Sequence, residues 1–197
     1  MGTQHVAVSS DRVVTLPNLL SLFRLAGVPV FLWAVFTRRD GLALAVLMLS
    51  GVTDWLDGAL ARRWQQITRV GQLLDPVADR LYIAATLVGL TARGILPLWL
   101  TAALVARDAL LALLLPVLHR HGYAPLPVHF LGKAATLSLL YAFPLLLLGD
   151  GSGRLATLAD VFGWAFAIWG TCLYWWSGVL YALQVHRLVG AARARAA

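Results

Sequence analysis

An all-α integral membrane protein of six transmembrane helices is the fold class this sequence predicts, on three observations. Apolar residues make up 60% of the 197 residues, and the mean hydropathy is +0.77, above what a soluble domain of this length carries. Charged residues amount to only 13%. Six stretches also reach or approach the roughly 20 apolar residues that a helix needs to cross about 30 Å of hydrocarbon, each set off from the next by polar or glycine-rich breaks.

The first span is expected over 16–36, with Pro17 suited to a first helical turn and Asn18 to an interfacial end. The segment before it, 1–14, is polar and lacks an apolar stretch followed by a cleavage site, so it reads as a cytoplasmic N-terminus and the span as retained. Arg38, Arg39, Asp40 and Gly41 close this span, and a second follows over 42–60. A basic polar turn from Arg63 to Arg69 then leads into a third over 70–92, which Gly94 ends. The fourth covers 95–118, and the connection from His119 to Pro127 holds two prolines. The fifth covers 128–148 and stops at the turn Gly149-Asp150-Gly151-Ser152-Gly153. The sixth covers 155–185, with Trp175, Trp176 and Tyr181 in an interfacial aromatic belt. A six-helix catalytic domain over 15–190 and a basic C-terminal tail over 191–197 complete the layout.

Basic residues set the expected orientation, because Lys and Arg are retained on the cytoplasmic side. With the N-terminus inside, nine lie in inner segments (Arg12, Arg62, Arg63, Arg69, Arg120, Lys133, Arg187, Arg193, Arg195) and four in outer ones (Arg38, Arg39, Arg93, Arg154). Both termini and the 62–69 loop therefore face the cytoplasm. The formal charge of +7 is spread between apolar spans and forms no polar face, so it suits an anionic membrane surface and not a nucleic acid. Cys172 stands alone in an apolar run, which excludes a disulfide and a thiolate metal site and leaves it a packing role.

The acids carry the chemistry. All nine are aspartate, with no glutamate anywhere, and four fall between positions 54 and 79. Asp54 and Asp57 are three apart near the end of the second span, and Asp75 and Asp79 four apart at the start of the third. Either spacing puts both carboxylates on one helical face. If the two spans fold as an antiparallel hairpin, the pairs converge, and four like charges in low dielectric would force protonation unless a cation balances them. Oxygen-only ligands suit a hard divalent cation, Mg²⁺ or Mn²⁺, which leaves positions open for phosphate oxygens. Helix capping or pairing with Arg62, Arg63, Arg69 and Arg80 accounts for one aspartate per helix end, not for four.

Small residues lie between the acids. Gly58, Ala61 and Gly71 would let a flat base or a pyrophosphate approach the helix backbone, and Arg62 can offer a fork of donors to phosphate. An aspartate relay in a transporter is the competing class, but relays usually lie near the bilayer midplane and have no need of this glycine, alanine and arginine framework.

The string Asp54-Trp-Leu-Asp57-Gly58-Ala-Leu-Ala61-Arg62, then eight residues, Gly71, three residues, Asp75, three residues and Asp79 resembles the signature of the CDP-alcohol phosphatidyltransferases at every fixed position. That resemblance implies a six-helix homodimer whose site opens to the cytoplasmic leaflet. It implies Asp54, Asp57, Asp75 and Asp79 as ligands of a two-metal site, with Asp79 also the catalytic base. It further implies contacts to the CDP moiety from Gly58, Arg62 and Thr68, and a nucleotide-pocket contribution from Pro17, Asn18, Leu19 and Leu20.

Other intramembrane charges are candidates for the acceptor alcohol, because charge inside a bilayer is costly and defaults to function. Arg24, Arg107 and Lys133 could meet an anionic head group, although Arg107-Asp108 also reads as a self-neutralising pair. His119, His121 and His129 have no acidic neighbour in sequence and read as interfacial polar groups. Members of the family that use glycerol 3-phosphate tend to show Gly-Lys-x-Lys-Thr after the fourth span, where this chain has Gly132-Lys133-Ala134-Ala135-Thr136. The stretch from His119 through Pro144 is most similar to the actinobacterial branch that forms cardiolipin and CMP. The similarity implies CDP-diacylglycerol as donor and phosphatidylglycerol as acceptor, with glycerol 3-phosphate as the alternative acceptor.

Overall fold

In a computed structural model, the described residues are 16–64, 69–120 and 130–196, and side chains are described for fewer, excluding 16–18, 54, 55, 57–64, 69–76, 117, 119, 120, 189 and 191–196. They form six α-helices: α1 (Leu16–Phe36), α2 (Asp40–Trp64), α3 (Arg69–Ala92), α4 (Leu98–Arg120), α5 (Phe130–Gly149) and α6 (Arg154–Ala196). Four carry a window long and apolar enough to cross a membrane, namely Leu19–Phe36, Leu98–Pro116, Phe130–Gly149 and Arg154–Leu188. The polar residues of the aspartate motif account for the other two. In α2 the apolar stretch Asp40–Thr53 stops one residue short of Asp54, and in α3 Arg69, Asp75, Asp79 and Arg80 fall in the N-terminal half.

The helices form two compact units, Met1–Gly94 and Ile95–Ala197. In the first, α1 packs against both α2 and α3. Phe31, Ala34 and Val35 of α1, Ala43 and Leu47 of α2 and Tyr82, Ala85 and Leu90 of α3 are buried. Gly27 marks where the three meet, since a Cβ there would lie 3.8 Å from Val46 on α2 and 3.9 Å from Tyr82 on α3. The ring of Tyr82 packs on Phe31 with centroids 5.7 Å apart. Arg93, its side chain buried, forms an ion pair with Asp40 and so joins the residue after α3 to the first residue of α2. Tyr82 and Ser50 line one cleft farther along the same helices. The pairs 40/93 and 50/82 run in opposite senses along the chain, so α2 and α3 are antiparallel, as the hairpin reading expects.

The turn after α1 is a Schellman motif. The Arg39 N–H donates to the Ala34 carbonyl and the Arg38 N–H to that of Val35, with Arg38 in the left-handed region at φ 55°. A side chain in this conformation costs about 1 kcal/mol or more relative to glycine. The guanidinium of Arg39 stacks on Trp33, 4.7 Å from the ring centroid.

In the second unit α6 packs against α5 and α4. The buried positions of α5 are Gly132, Ala135, Leu139, Ala142, Phe143, Leu146 and Leu147, a seam of alternating three- and four-residue steps. Its partner stripe on α6 is small at every seventh residue, with Ala156, Gly163, Gly170 and Ser177 all buried. Lipid tails are as apolar as leucine, so helices in a bilayer associate through close packing, which small residues permit. A Cβ on Gly163 would meet the Leu146 backbone nitrogen at 2.9 Å, and one on Gly170 would meet the Leu139 and Ser138 side chains at 3.1 Å. Pairs 146/163 and 139/170 define an antiparallel register.

Several hydroxyls inside these helices are satisfied by their own backbone. Thr53, Thr86, Thr171, Ser138 and Ser177 each donate to a carbonyl three or four residues earlier. Helix α6 has 43 residues. At 1.5 Å per residue it is about 65 Å long, twice the hydrocarbon thickness, so one end projects beyond any bilayer it crosses. Its backbone runs without a break through the stretch expected as a separate basic tail, and the polar segment 1–14 lies outside the described residues.

Candidate active site

The backbone of α2 is helical through Asp54 and Asp57, and that of α3 through Asp75 and Asp79. With 3.6 residues per turn, each pair of positions sits about one turn apart on its helix. The aspartates lie in the C-terminal half of α2 and in the N-terminal half of the antiparallel α3. Side chains of Asp54, Asp57, Gly58, Ala61, Arg62, Gly71 and Asp75 lie outside the described residues, as do those of Pro17 and Asn18, the whole of Thr68, and the His119, His121 and His129 side chains. Among the described residues no group of three or more His, Cys, Asp or Glu could hold a metal.

Asp79 is the member of the tetrad whose side chain is described. It is partly exposed, 44% by side chain, and its carboxylate forms an ion pair with Arg24 of α1. The Arg24 side chain is 2% exposed. A guanidinium so buried is stable only where an anion compensates it, and Asp79 does this. The pairing also explains why an arginine stands near the start of an otherwise apolar α1, a role the sequence reading assigned to the acceptor.

Arg24 borders a cleft of about 200 Å³ between the helices of the first unit, lined by Phe23, Arg24, Ala26, Gly27, Val30, Val46, Leu49, Ser50, Thr53 and Tyr82. Its walls are apolar, and its polar groups are Arg24, the hydroxyls of Ser50 and Thr53, and Tyr82. Ser50, Thr53 and Tyr82 escaped the sequence reading. The signal was available: hydroxyl residues in the apolar part of α2 immediately before Asp54, and a tyrosine three residues after Asp79. Leu19 and Leu20, expected at the nucleotide pocket, lie in the first turns of α1, with Leu19 56% exposed.

The other two acceptor candidates belong to the second unit. Arg107 on α4 is held by α6 and by its neighbour Asp108. Its Nε donates to the Tyr174 carbonyl at 3.3 Å, its Nη2 to Ser177 Oγ at 3.0 Å and its Nη1 to Asp108 at 3.1 Å. The guanidinium lies 3.8 Å from the centre of the Tyr174 ring, whose hydroxyl donates to Asp108 at 2.5 Å. Gly178 makes room, since a Cβ there would approach Arg107 Cγ to 3.3 Å. This arrangement fits the self-neutralising reading of Arg107-Asp108 and extends it to a four-residue network. Lys133, in the first turn of α5, is exposed.

Comparison with known proteins bears on the motif and on the whole chain. Residues 14–176 match the CDP-alcohol phosphatidyltransferase family. A protein of Streptomyces coelicolor named cardiolipin synthase (CMP-forming) is 64% identical over 194 residues, covering 95% of this chain and 90% of that one. A Mycobacterium tuberculosis protein with the provisional name cardiolipin synthase is 43% identical over 183 residues, 92% of this chain and 88% of its own. A CDP-diacylglycerol–glycerol-3-phosphate 3-phosphatidyltransferase of Pectobacterium atrosepticum is 37% identical over 139 residues, 67% of this chain and 76% of its own. With the aspartate framework on α2 and α3 and a family match over most of its length, this chain belongs to the CDP-alcohol phosphatidyltransferases, a family of enzymes that in general depend on divalent metal.

Proposed function

We propose that this chain transfers the phosphatidyl group of CDP-diacylglycerol to phosphatidylglycerol, giving cardiolipin and CMP. The observation that carries the acceptor is the 64% identity with the Streptomyces coelicolor cardiolipin synthase, because it extends over nearly all of both chains. The aspartate motif concerns the donor that all such enzymes share, whereas the acceptor has to be read from the remaining helices. The Pectobacterium atrosepticum glycerol-3-phosphate enzyme is less similar and covers two thirds of the chain.

Asp54, Asp57, Asp75 and Asp79 are the proposed ligands of two divalent ions, Mg²⁺ or Mn²⁺. Their oxygen-only donor set suits such hard cations, and Asp79, the member whose side chain is described, offers a partly exposed carboxylate beside Arg24. Bound metal would supply charge neutralisation for the pyrophosphate and for departing CMP. Asp79 takes the proton of the attacking hydroxyl of phosphatidylglycerol. The freed oxygen forms a bond to the lipid-side phosphorus while the bond from that phosphorus to the bridging oxygen breaks, and CMP leaves with the electron pair. Gly58, Ala61 and Gly71 keep the backbone open to the nucleotide, Arg62 and Thr68 hold its phosphates, and Pro17, Asn18, Leu19 and Leu20 close the pocket. Lys133, exposed in the first turn of α5, is the proposed acceptor contact, and Arg107 is held in its network with Asp108, Tyr174 and Ser177.

All six helices of 15–190 cross the bilayer in this reading, α2 and α3 with their charges gathered at one end. The excess of basic residues in the inner segments supports both termini and the tetrad lying on the cytoplasmic side, where CDP-lipid is available, and the enzyme acts as a homodimer. Purified protein given CDP-diacylglycerol with Mg²⁺ or Mn²⁺ should release CMP and form cardiolipin from phosphatidylglycerol, but no product from glycerol 3-phosphate or inositol phosphate. Phosphatidylglycerol phosphate without cardiolipin would overturn the acceptor and leave the donor chemistry standing. Absence of CMP release with every acceptor would favour the ion-relay class instead.

A further inference from the structure

We propose that Arg24 is a positioning residue, a built-in countercharge that holds the Asp79 carboxylate in place while the metal site is empty and opposes the metal when it loads. The inference rests on Asp79 being a metal ligand, as proposed above, and goes beyond it by removing Arg24 from the acceptor.

Three observations carry it. The Arg24 side chain is 2% exposed and enters from α1, a helix with no member of the tetrad, to form an ion pair with Asp79 on α3. The cleft it borders is walled by apolar side chains apart from Ser50, Thr53 and Tyr82, so the guanidinium is poorly solvated on that side. The surroundings also fix its position. One turn along α1, a Cβ on Gly27 would come within 3.8 Å of Val46 and 3.9 Å of Tyr82, and the Tyr82 ring packs on Phe31, so α1 and α3 lie close beside Arg24. A buried arginine that has reached a carboxylate cannot easily swing out to greet an anionic head group, because doing so would strand a charge in the helix interface.

The consequence follows from electrostatics. Without metal, Arg24 and Asp79 balance each other's charge, and the buried guanidinium is compensated. With metal, the divalent charge takes over that role and is repelled by the guanidinium nearby. Arg24 therefore stabilises the metal-free protein and weakens metal binding, two effects of one charge. A residue that merely packed would lower stability equally with and without metal and would leave metal affinity alone.

The experiment uses the full-length protein in detergent, stripped with EDTA and titrated with Mn²⁺, with free Mn²⁺ read by electron paramagnetic resonance and melting followed by tryptophan fluorescence. Arg24→Met should melt lower than wild type in EDTA but recover most of the difference in saturating Mn²⁺, and it should bind Mn²⁺ at least tenfold more tightly. Arg24→Lys, which keeps the charge, should bind Mn²⁺ within about threefold of wild type. Should Arg24→Met not fold without metal, Arg24→Met/Asp79→Asn removes both charges and should melt in EDTA within a few degrees of wild type. Equal melting losses with and without Mn²⁺, or unchanged Mn²⁺ affinity in Arg24→Met, would overturn the role of Arg24 while leaving the metal site intact. A wild-type protein that neither binds Mn²⁺ nor melts higher with it would overturn this role and the metal site together.

Discussion

Replacing Gly163 by alanine should weaken the seam between α5 and α6, and the structure allows the cost to be worked out. The added Cβ would sit 2.9 Å from the Leu146 backbone nitrogen and 3.0 Å from its Cγ and Cδ2. The leucine tip can rotate, but the backbone nitrogen belongs to a helix and cannot. Restoring an ordinary contact of about 3.5 Å requires the helices to part by roughly 0.6 Å at that level, and a packed interior resists such a shift. The seam is also close at Gly170, so a wedge at 163 loosens contacts a turn or more away. Overpacking of this kind costs about 1–3 kcal/mol, and the better helix propensity of alanine returns about 0.5–1 kcal/mol. A net loss of about 1–2 kcal/mol follows, or roughly 2–8 °C in melting temperature for a chain of this size. The control is Gly41→Ala in the first turn of α2, where a Cβ meets nothing within 4 Å and only the propensity gain remains. Thermal unfolding of wild type and both variants in one detergent, followed by tryptophan fluorescence, checks the pair. A Gly163→Ala protein melting at or above wild type would refute close packing through small residues as what holds α5 to α6.

Two further predictions concern the site and its orientation. Asp79→Asn keeps the shape of the side chain but removes a ligand charge and the base, so CMP release should fall by at least a hundredfold. Turnover near wild type would remove Asp79 as the base. Cysteines at Gln65 and Ser152 in a Cys172→Ala background should react with an impermeant thiol reagent from opposite sides of the membrane. Labelling of position 65 from outside intact cells would reverse the topology.

Local and compositional physics was legible in the chain by itself. Apolar run length located all six helices, with α1 at 16–36 as expected and the others shifted by a few residues, because burying main-chain polar groups in a bilayer leaves helix as the economical solution. The fixed spacing of Asp54, Asp57, Gly58, Ala61, Arg62, Gly71, Asp75 and Asp79 led to the family, since one helix turn and a short polar turn are all its geometry requires. The last apolar span was expected to end at 185, with a basic tail over 191–197; nothing in these residues breaks a helix, and α6 continues to Ala196.

Tertiary structure alone decided which distant charges meet. Arg24 and Asp79 are 55 residues apart, and Asp40 and Arg93 are 53 apart. No periodicity links such positions, because their pairing depends on how three helices cross and on which faces turn inward. The same holds for Arg107, which in sequence has only Asp108 as an evident partner but in the fold reaches Tyr174 and Ser177 on α6. The seven-residue stripe of Ala156, Gly163, Gly170 and Ser177 was written in the sequence all along. Small residues are silent on a hydropathy scale, however, and only the facing helix, pressed to within contact of their missing side chains, shows what their smallness is for.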